Sequence, residues 1–378
     1  MFRRLLRTLL FLVSALAVLG FAFVAARLLA TPRVLDPVEG AVLERATRMA
    51  HGEALYTEPA GSGEPQLMPG FPAAVSLLVR AFGPELWEPR ALALLATLLL
   101  AALVMLIVQM ETSSWTLAVA SVGFVLMGHA ILADRPGEAR PETFMLLLVL
   151  LGFLAMRLTN GVWGMLPAAL LLSAAFFTDQ QAAWFVAAAA FALALGDWKR
   201  LVAFMLPTGM LVAGGYVALS QTLGPWFNFN VWDAPLEMMR FSATGPLHYV
   251  GEHLLGKLGV PTLAAVMSFA LPTEPWRGKG GLWMCMGIGA LAAGLLSTQS
   301  TAFGPHALIP SVVALSLVGP ISIQRVTRHL SAWPGSSRLG GQGVVLAALA
   351  LQFIVFLSSV SPSQWLVSAF STPLGPTP

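Results

Sequence analysis

The sequence predicts an all-α polytopic membrane protein, and three observations carry that prediction. Of the 378 residues 57% are hydrophobic and only 10% charged, with a mean hydropathy of +0.77, where an ordinary soluble domain carries roughly 25% charged residues. Apolar stretches recur along the whole chain, at 9–30, 91–108, 115–133, 143–156, 164–178, 182–195, 201–220, 260–272, 281–297, 307–321 and 344–360. A helix needs about 20 apolar residues to cross the ~30 Å hydrocarbon core, so these stretches make about eleven transmembrane helices, several of them short. Polar residues gather between them, in loops at about 31–90, 134–142, 221–259 and 297–306 on the side read as outer. No internal repeat, heptad run, low-complexity segment or separate soluble domain interrupts the pattern, so residues 1–378 read as a single transmembrane domain.

In chain order, Arg3, Arg4 and Arg7 precede the run from Leu9 to Ala30. That run exceeds the 7 to 15 apolar residues of a signal peptide, and only Ala25-Ala26 resembles a cleavage site, so it reads as an uncleaved first span with a cytoplasmic N-terminus. Lys199, Arg200, Arg277, Lys279, Arg325, Arg328 and Arg338 then fall in inner loops, although basic residues as a whole divide almost evenly between the sides. The acids discriminate better: apart from Glu111, Asp197 and Glu274 they lie outside. Acids count little in membrane insertion, so their gathering marks a polar working surface on the outer face. The net charge of +3 and pI of about 9.4 come without a dense Lys/Arg cluster, which excludes nucleic acid as a partner. Cys285 is the single cysteine and sits in an apolar run, so disulfides and Cys-ligated metals within the chain are excluded and packing is its expected role.

The first outer loop opens with a helix start. Asp36 precedes Pro37, a favoured first helical residue, and Glu39 stands at the third helical position, which is a capping-box arrangement. A helix from Pro37 to Ala50 would place Val38, Val42, Ala46 and Met49 on one apolar face suited to the membrane surface. Both acids can therefore be caps; they also stand at the water edge of a span, where a carboxylate reaches a lipid headgroup and a soluble substrate together.

The second outer loop, DRPGEARPE, sets Asp134 and Glu142 at its two ends. It reads either as a polar turn or as carboxylates converging to hold an acceptor hydroxyl or, through oxygen ligands, a divalent cation. Asp179, in a turn between two apolar stretches, is expensive if it faces lipid and is expected to face a cavity. The segment GPWFNFNVWDAP has the aromatic density of an interfacial belt. Its other reading is a groove for a lipid chain whose phosphate meets Arg240 or Lys257. HExxH, paired-Cys, GxSxG and Walker templates are absent and the six histidines do not cluster, which removes hydrolase and ATP-driven pump readings. Carboxylate chemistry at a membrane face, transport or a structural role remain.

The order of first span, DPVEGAVLERATRMAHGEALYTEP loop, MPGFPAAVSLLVRAFGPELWEPRALALLATLLLAALV and ARPETFMLLLVLLGFLAMRL resembles the polytopic GT-C glycosyltransferases, in particular the protein-mannosyltransferase-like and aminoarabinose-transferase-like group. The resemblance spans about residues 1–240 and rests on loose motifs: Asp36 and Glu39 after the first span, Gly52–Tyr56, Pro69–Pro72, and Arg140-Pro141-Glu142 opening a later span. Glu142 departs from the aspartate usual there, and Asp179 stands where many relatives carry a lysine. The resemblance implies inverting transfer of a sugar from a polyprenyl-phosphate-linked donor to an acceptor on the outer face of a bacterial inner membrane. It implies Glu39 or Asp36 as general base, membrane lipids as surroundings and no required cofactor. The second reading is a noncatalytic membrane subunit or lipid-linked-sugar carrier on the same scaffold, which Asp179 and the scarcity of outer cations favour.

Overall fold

A computed structural model describes residues 2–34, 36–58, 67–132, 139–242, 244–270, 279–300, 308–331 and 338–359. These residues are helical apart from short connections and an isolated antiparallel bridge between Met239 and Ser300. The helices are α1 (Phe2–Leu29), α2 (Pro37–His51), α3 (Gly70–Phe82), α4 (Trp87–Thr112), α5 (Trp115–Leu132), α6 (Pro141–Leu158), α7 (Met165–Thr178), α8 (Ala182–Gly196) and α9 (Trp198–Thr222). Then come the short α10 (Trp226–Asn228), α11 (Ala234–Glu237) and α12 (Thr244–His248), followed by α13 (Gly259–Ala270), α14 (Lys279–Ser297), α15 (Ile309–Ser331) and α16 (Arg338–Ser359). π-helical turns at Phe229–Asp233 and Tyr249–Lys257 link the short pieces.

The all-α membrane fold expected from composition is the one observed, and each apolar stretch read from the sequence overlaps a helix. Among the described residues six helices are long and apolar enough to cross a bilayer alone, or seven if the pair Thr244–Lys257 and Gly259–Ala270, bent by 101°, counts as one broken span. α3, α7, α8 and parts of α5 and α16 are apolar but shorter. Local signals set the boundaries. Asp197 caps α9 by accepting from Lys199 N and Arg200 N at 2.9 and 3.4 Å, and Gly52 ends α2 in the left-handed conformation at φ 75°.

α15 runs through the centre, its apolar window 83% buried against α5, α13, α14 and α16, while the window of α9 is only 11% buried. One end of the bundle is tied by Glu111, which accepts from Arg157 Nε at 2.6 Å and Trp283 Nε1 at 3.0 Å and so joins α4, α6 and α14. The opposite end carries α2 and α3, and here one expectation is corrected. The apolar face of α2 does not lie on the membrane surface: Val42 and Ala46 are fully buried against Leu67, Phe71, Val75, Val79 and Ala93. α3 supplies that cover, since it presents its own apolar face at helical spacing. α3 in turn meets the end of α7 so closely that a Cβ on Gly70 would stand 2.6 Å from the Phe177 carbonyl oxygen. The first loop is thus docked onto the turn that holds Asp179.

Candidate active site

Arg90, at the start of α4, is fully buried and organises this end of the molecule. Its Nε and Nη2 donate to the two carboxylate oxygens of Glu39 at 2.6 and 2.8 Å. Its Nη1 donates to Leu28 O at 2.7 Å and to Thr31 O, and Nη2 also reaches Arg33 O at 2.5 Å. One guanidinium therefore ties the end of α1, the following chain and α2 to α4, with a forked geometry that lysine could not reproduce. This placement revises the expectation that Glu39 sits at the water edge as a general base. Its side chain has no exposed surface and both oxygens are committed to Arg90.

Asp36 lies nearer the surface and does two things at once. Oδ1 accepts from Val38 N at 2.7 Å, the helix cap expected from the sequence, while Oδ2 accepts from Arg140 Nη2. Arg140 stands just before α6 in extended backbone, φ −110° and ψ 144°, as the residue before a proline should. Its Nη1 lies 3.7 Å from Glu142 Oε1, and Glu142 Oε2 is buried without a hydrogen-bond partner. Next to it, Asp179 ends α7 and accepts from Gln181 N at 2.8 Å. Desolvation, and after it the charge of Glu142, pushes the Asp179 carboxyl up to about 7.

Asp179 lines a cavity of about 70 Å³ together with Met68, Pro141, Thr178, Gln180 and Asn230. Gln180 Nε2 donates to Val231 O and so closes one wall with the aromatic segment. That segment is packed as well as belt-like: Phe227 is fully buried, 5.5 Å from the Tyr56 ring and 5.4 Å from Tyr216, whereas Trp232 is exposed. Tyr56 donates its hydroxyl to Leu67 O at 2.8 Å beneath the Arg45 guanidinium, so Gly52–Tyr56 anchors the loop over the cavity.

The structure thus brings together Asp36, Glu142 and Asp179 through Arg140 and α6, and holds Glu39 behind them. Asp134 lies outside the described residues. Arg240 and Lys257 are placed on the later segment, the backbone N of Arg240 on Gln299 O at 2.6 Å and the Lys257 carbonyl accepting from Gln352 Nε2 at 2.7 Å. No described contact joins either cation to Arg140, Glu142 or Asp179. Among the described residues no group of three or more His, Cys, Asp or Glu side chains is placed to hold a metal ion. Asp36 and Glu142 both face the Arg140 guanidinium, and Asp134, at the other end of the second outer loop, is not described. Sequence reading missed Arg90 and the role of Arg140. Arg90 resembles any cation at the edge of a span, and its partner Glu39 is 51 positions away.

No protein-family model and no curated protein matches the sequence. Solved structures do. The crystal structure of ArnT from Cupriavidus metallidurans in the apo state superposes with a TM-score of 0.58 at 14% identity, covering 94% of this chain and 76% of that one. The structure of the same protein bound to undecaprenyl phosphate gives 0.53, 14%, 94% and 77%. At this identity the likeness shows the fold alone: the chain is an integral membrane protein with a GT-C-like fold.

Proposed function

We propose that the protein is an inverting glycosyltransferase that moves a sugar from a polyprenyl-phosphate-linked donor to an acceptor hydroxyl at the outer face of a bacterial inner membrane, its N-terminus in the cytoplasm. The observation that carries this reading is the cluster of Asp36, Arg140, Glu142 and Asp179 beside a cavity, at one end of a GT-C-like bundle. The ArnT structure with undecaprenyl phosphate supports a lipid phosphate as part of the donor.

Asp36 is the base. It takes the proton of the acceptor hydroxyl as that oxygen forms a bond to the anomeric carbon, and the carbon–oxygen bond to phosphate breaks with its electron pair leaving on the phosphate. Arg140 is the cation nearest to receive the developing charge. Arg240 and Lys257 act farther out, on the lipid phosphate before it enters. Glu142 and Asp179 hold the acceptor hydroxyl, and no step requires a metal ion. A carrier or noncatalytic subunit is the second reading, favoured by an acid rather than a cation on the cavity wall.

The test is incubation of the purified protein, in lipid, with labelled polyprenyl-phosphate sugars and a panel of glycolipid acceptors. Transfer of label with release of polyprenyl phosphate supports the enzyme. Tight donor binding without any transfer supports the carrier, and no binding removes both.

A further inference from the structure

Asn230 lines the cavity beside Asp179 and is only 5% exposed. Its Nδ2 donates to Trp226 O at 2.9 Å, and no described contact takes Oδ1, so the cavity is offered a hydrogen-bond acceptor. Asn230 and Val231 belong to the π-helical turn Phe229–Asp233, a rare conformation that recurs at functional sites. Gln180 Nε2 on Val231 O holds that turn against the end of α7, so two separate elements build the wall. Met68, Pro141 and Val231 add apolar surface to it. The space of about 70 Å³ takes about three non-hydrogen atoms, given that ~150 Å³ holds a benzene ring. A pyranose ring therefore stays outside, and one of its substituents enters.

We infer that this cavity selects the donor sugar: it takes the neutral hydroxymethyl arm of a hexose, whose hydroxyl donates to Asn230 Oδ1 while its carbon rests on Met68, Pro141 and Val231. This rests on the enzyme reading above and adds its substrate class. With the acceptor hydroxyl held at Asp179, the anomeric carbon must stand beside the same wall. The groups nearest to that carbon are the substituent of C2 and, across the ring oxygen, the arm on C5. A 2-hydroxyl is a single heavy atom and leaves most of the space empty, whereas a 2-acetamido group overfills it; the hydroxymethyl arm fits. Charge narrows the choice further. A carboxylate in the arm's place, as in a uronic acid, would meet Asp179 and the nearby Glu142, and among the described residues no cation lines the cavity. An ammonium finds little charge to pair with, because Asp179 already accepts from Gln181 N and burial pushes its carboxyl up to about 7.

The experiment is equilibrium binding, in lipid nanodiscs and without acceptor, of undecaprenyl phosphate carrying matched sugars. Glucose is paired with xylose and mannose with lyxose, each pentose being the same ring with hydrogen in place of the arm. Glucuronic acid and 6-amino-6-deoxyglucose complete the series. In at least one pair the hexose should bind about tenfold or more tighter than its pentose, and the acid and amine should both bind more weakly than glucose. Asn230→Ala should weaken hexose binding by about tenfold and leave pentose binding within about twofold, so the pentose reports that the variant is folded. Should Asn230→Ala lose the pentose as well, the wild-type series decides by itself, since it needs no variant. Hexose and pentose bound equally in both pairs overturn the subsite. So does a uronic acid or amine that binds more tightly than glucose, or a hexose preference that survives in folded Asn230→Ala. Failure of the wild type to bind any sugar-bearing lipid removes the donor reading itself, whereas binding without discrimination removes only the subsite.

Discussion

At the scale of single residues, the acids at the end that carries α2 are separated by what surrounds them. Glu39 and Arg90 form a buried pair with every guanidinium branch engaged. Glu39→Gln leaves an uncompensated charge in the interior, and detergent thermal unfolding should show a loss of about 3–5 kcal/mol. A variant as stable as wild type would mean that Arg90 finds another anion. Asp179 makes a prediction in pH. Its carboxyl lies above its ordinary 3.8, at about 7, so between these values the folded protein holds a proton that the unfolded chain has released. Its contribution to stability is therefore present at low pH and falls as pH rises toward 7. Asp179→Asn should match wild type near pH 4 and be the more stable of the two at pH 8; the opposite ordering would mean that the carboxylate is ionised and welcome in the fold. Of these residues the cap at Asp36 was legible in the sequence because a cap is local. The Glu39–Arg90 pair was not, since no spacing rule links residues that meet only after α1, α2 and α4 have packed.

At the scale of elements, α2 was read almost to the residue from its cap and apolar face, expected over Pro37–Ala50 and observed over Pro37–His51. What covers that face was not read. α3 is 13 residues long, too short to cross a bilayer, and so passed as part of a polar loop although its apolar residues recur at helical spacing. The cavity depends on this pair of helices reaching the end of α7, and Gly70 is where the approach is closest. Gly70→Ala puts a methyl group against a backbone carbonyl, which cannot move aside as a side chain can. The expected cost is about 1–3 kcal/mol, accompanied by faster hydrogen exchange in the turn Asp179–Gln181. Unchanged exchange and stability would show that α3 does not press on α7.

At the scale of the whole molecule, the composition determined the fold class, because no soluble chain can carry so few charges over so many apolar helices. The number of spans was less legible, since α7 and α8 are apolar but shorter than a bilayer is thick and the 101° bend before α13 has no periodic signature. The two ends of the bundle hold different chemistry, Glu111 with Arg157 and Trp283 at one and the acidic cluster at the other. The N-terminal arginines predict that the first of these ends is cytoplasmic. With Cys285 replaced by alanine, a cysteine at Ala54 should react with an impermeant maleimide on intact cells and one at Asn160 only after permeabilisation. The reverse pattern would invert the molecule and put the proposed site in the cytoplasm.

The central claim is that Asp36 accepts the acceptor's proton, and one comparison tests it most directly: single-turnover sugar transfer from a labelled polyprenyl-phosphate donor by wild type and Asp36→Asn at saturating donor. Asparagine keeps the helix cap and loses the base. Transfer should fall by at least about a hundredfold while donor binding is retained or improved. Transfer by Asp36→Asn at the wild-type rate would contradict the account and leave Asp36 a cap.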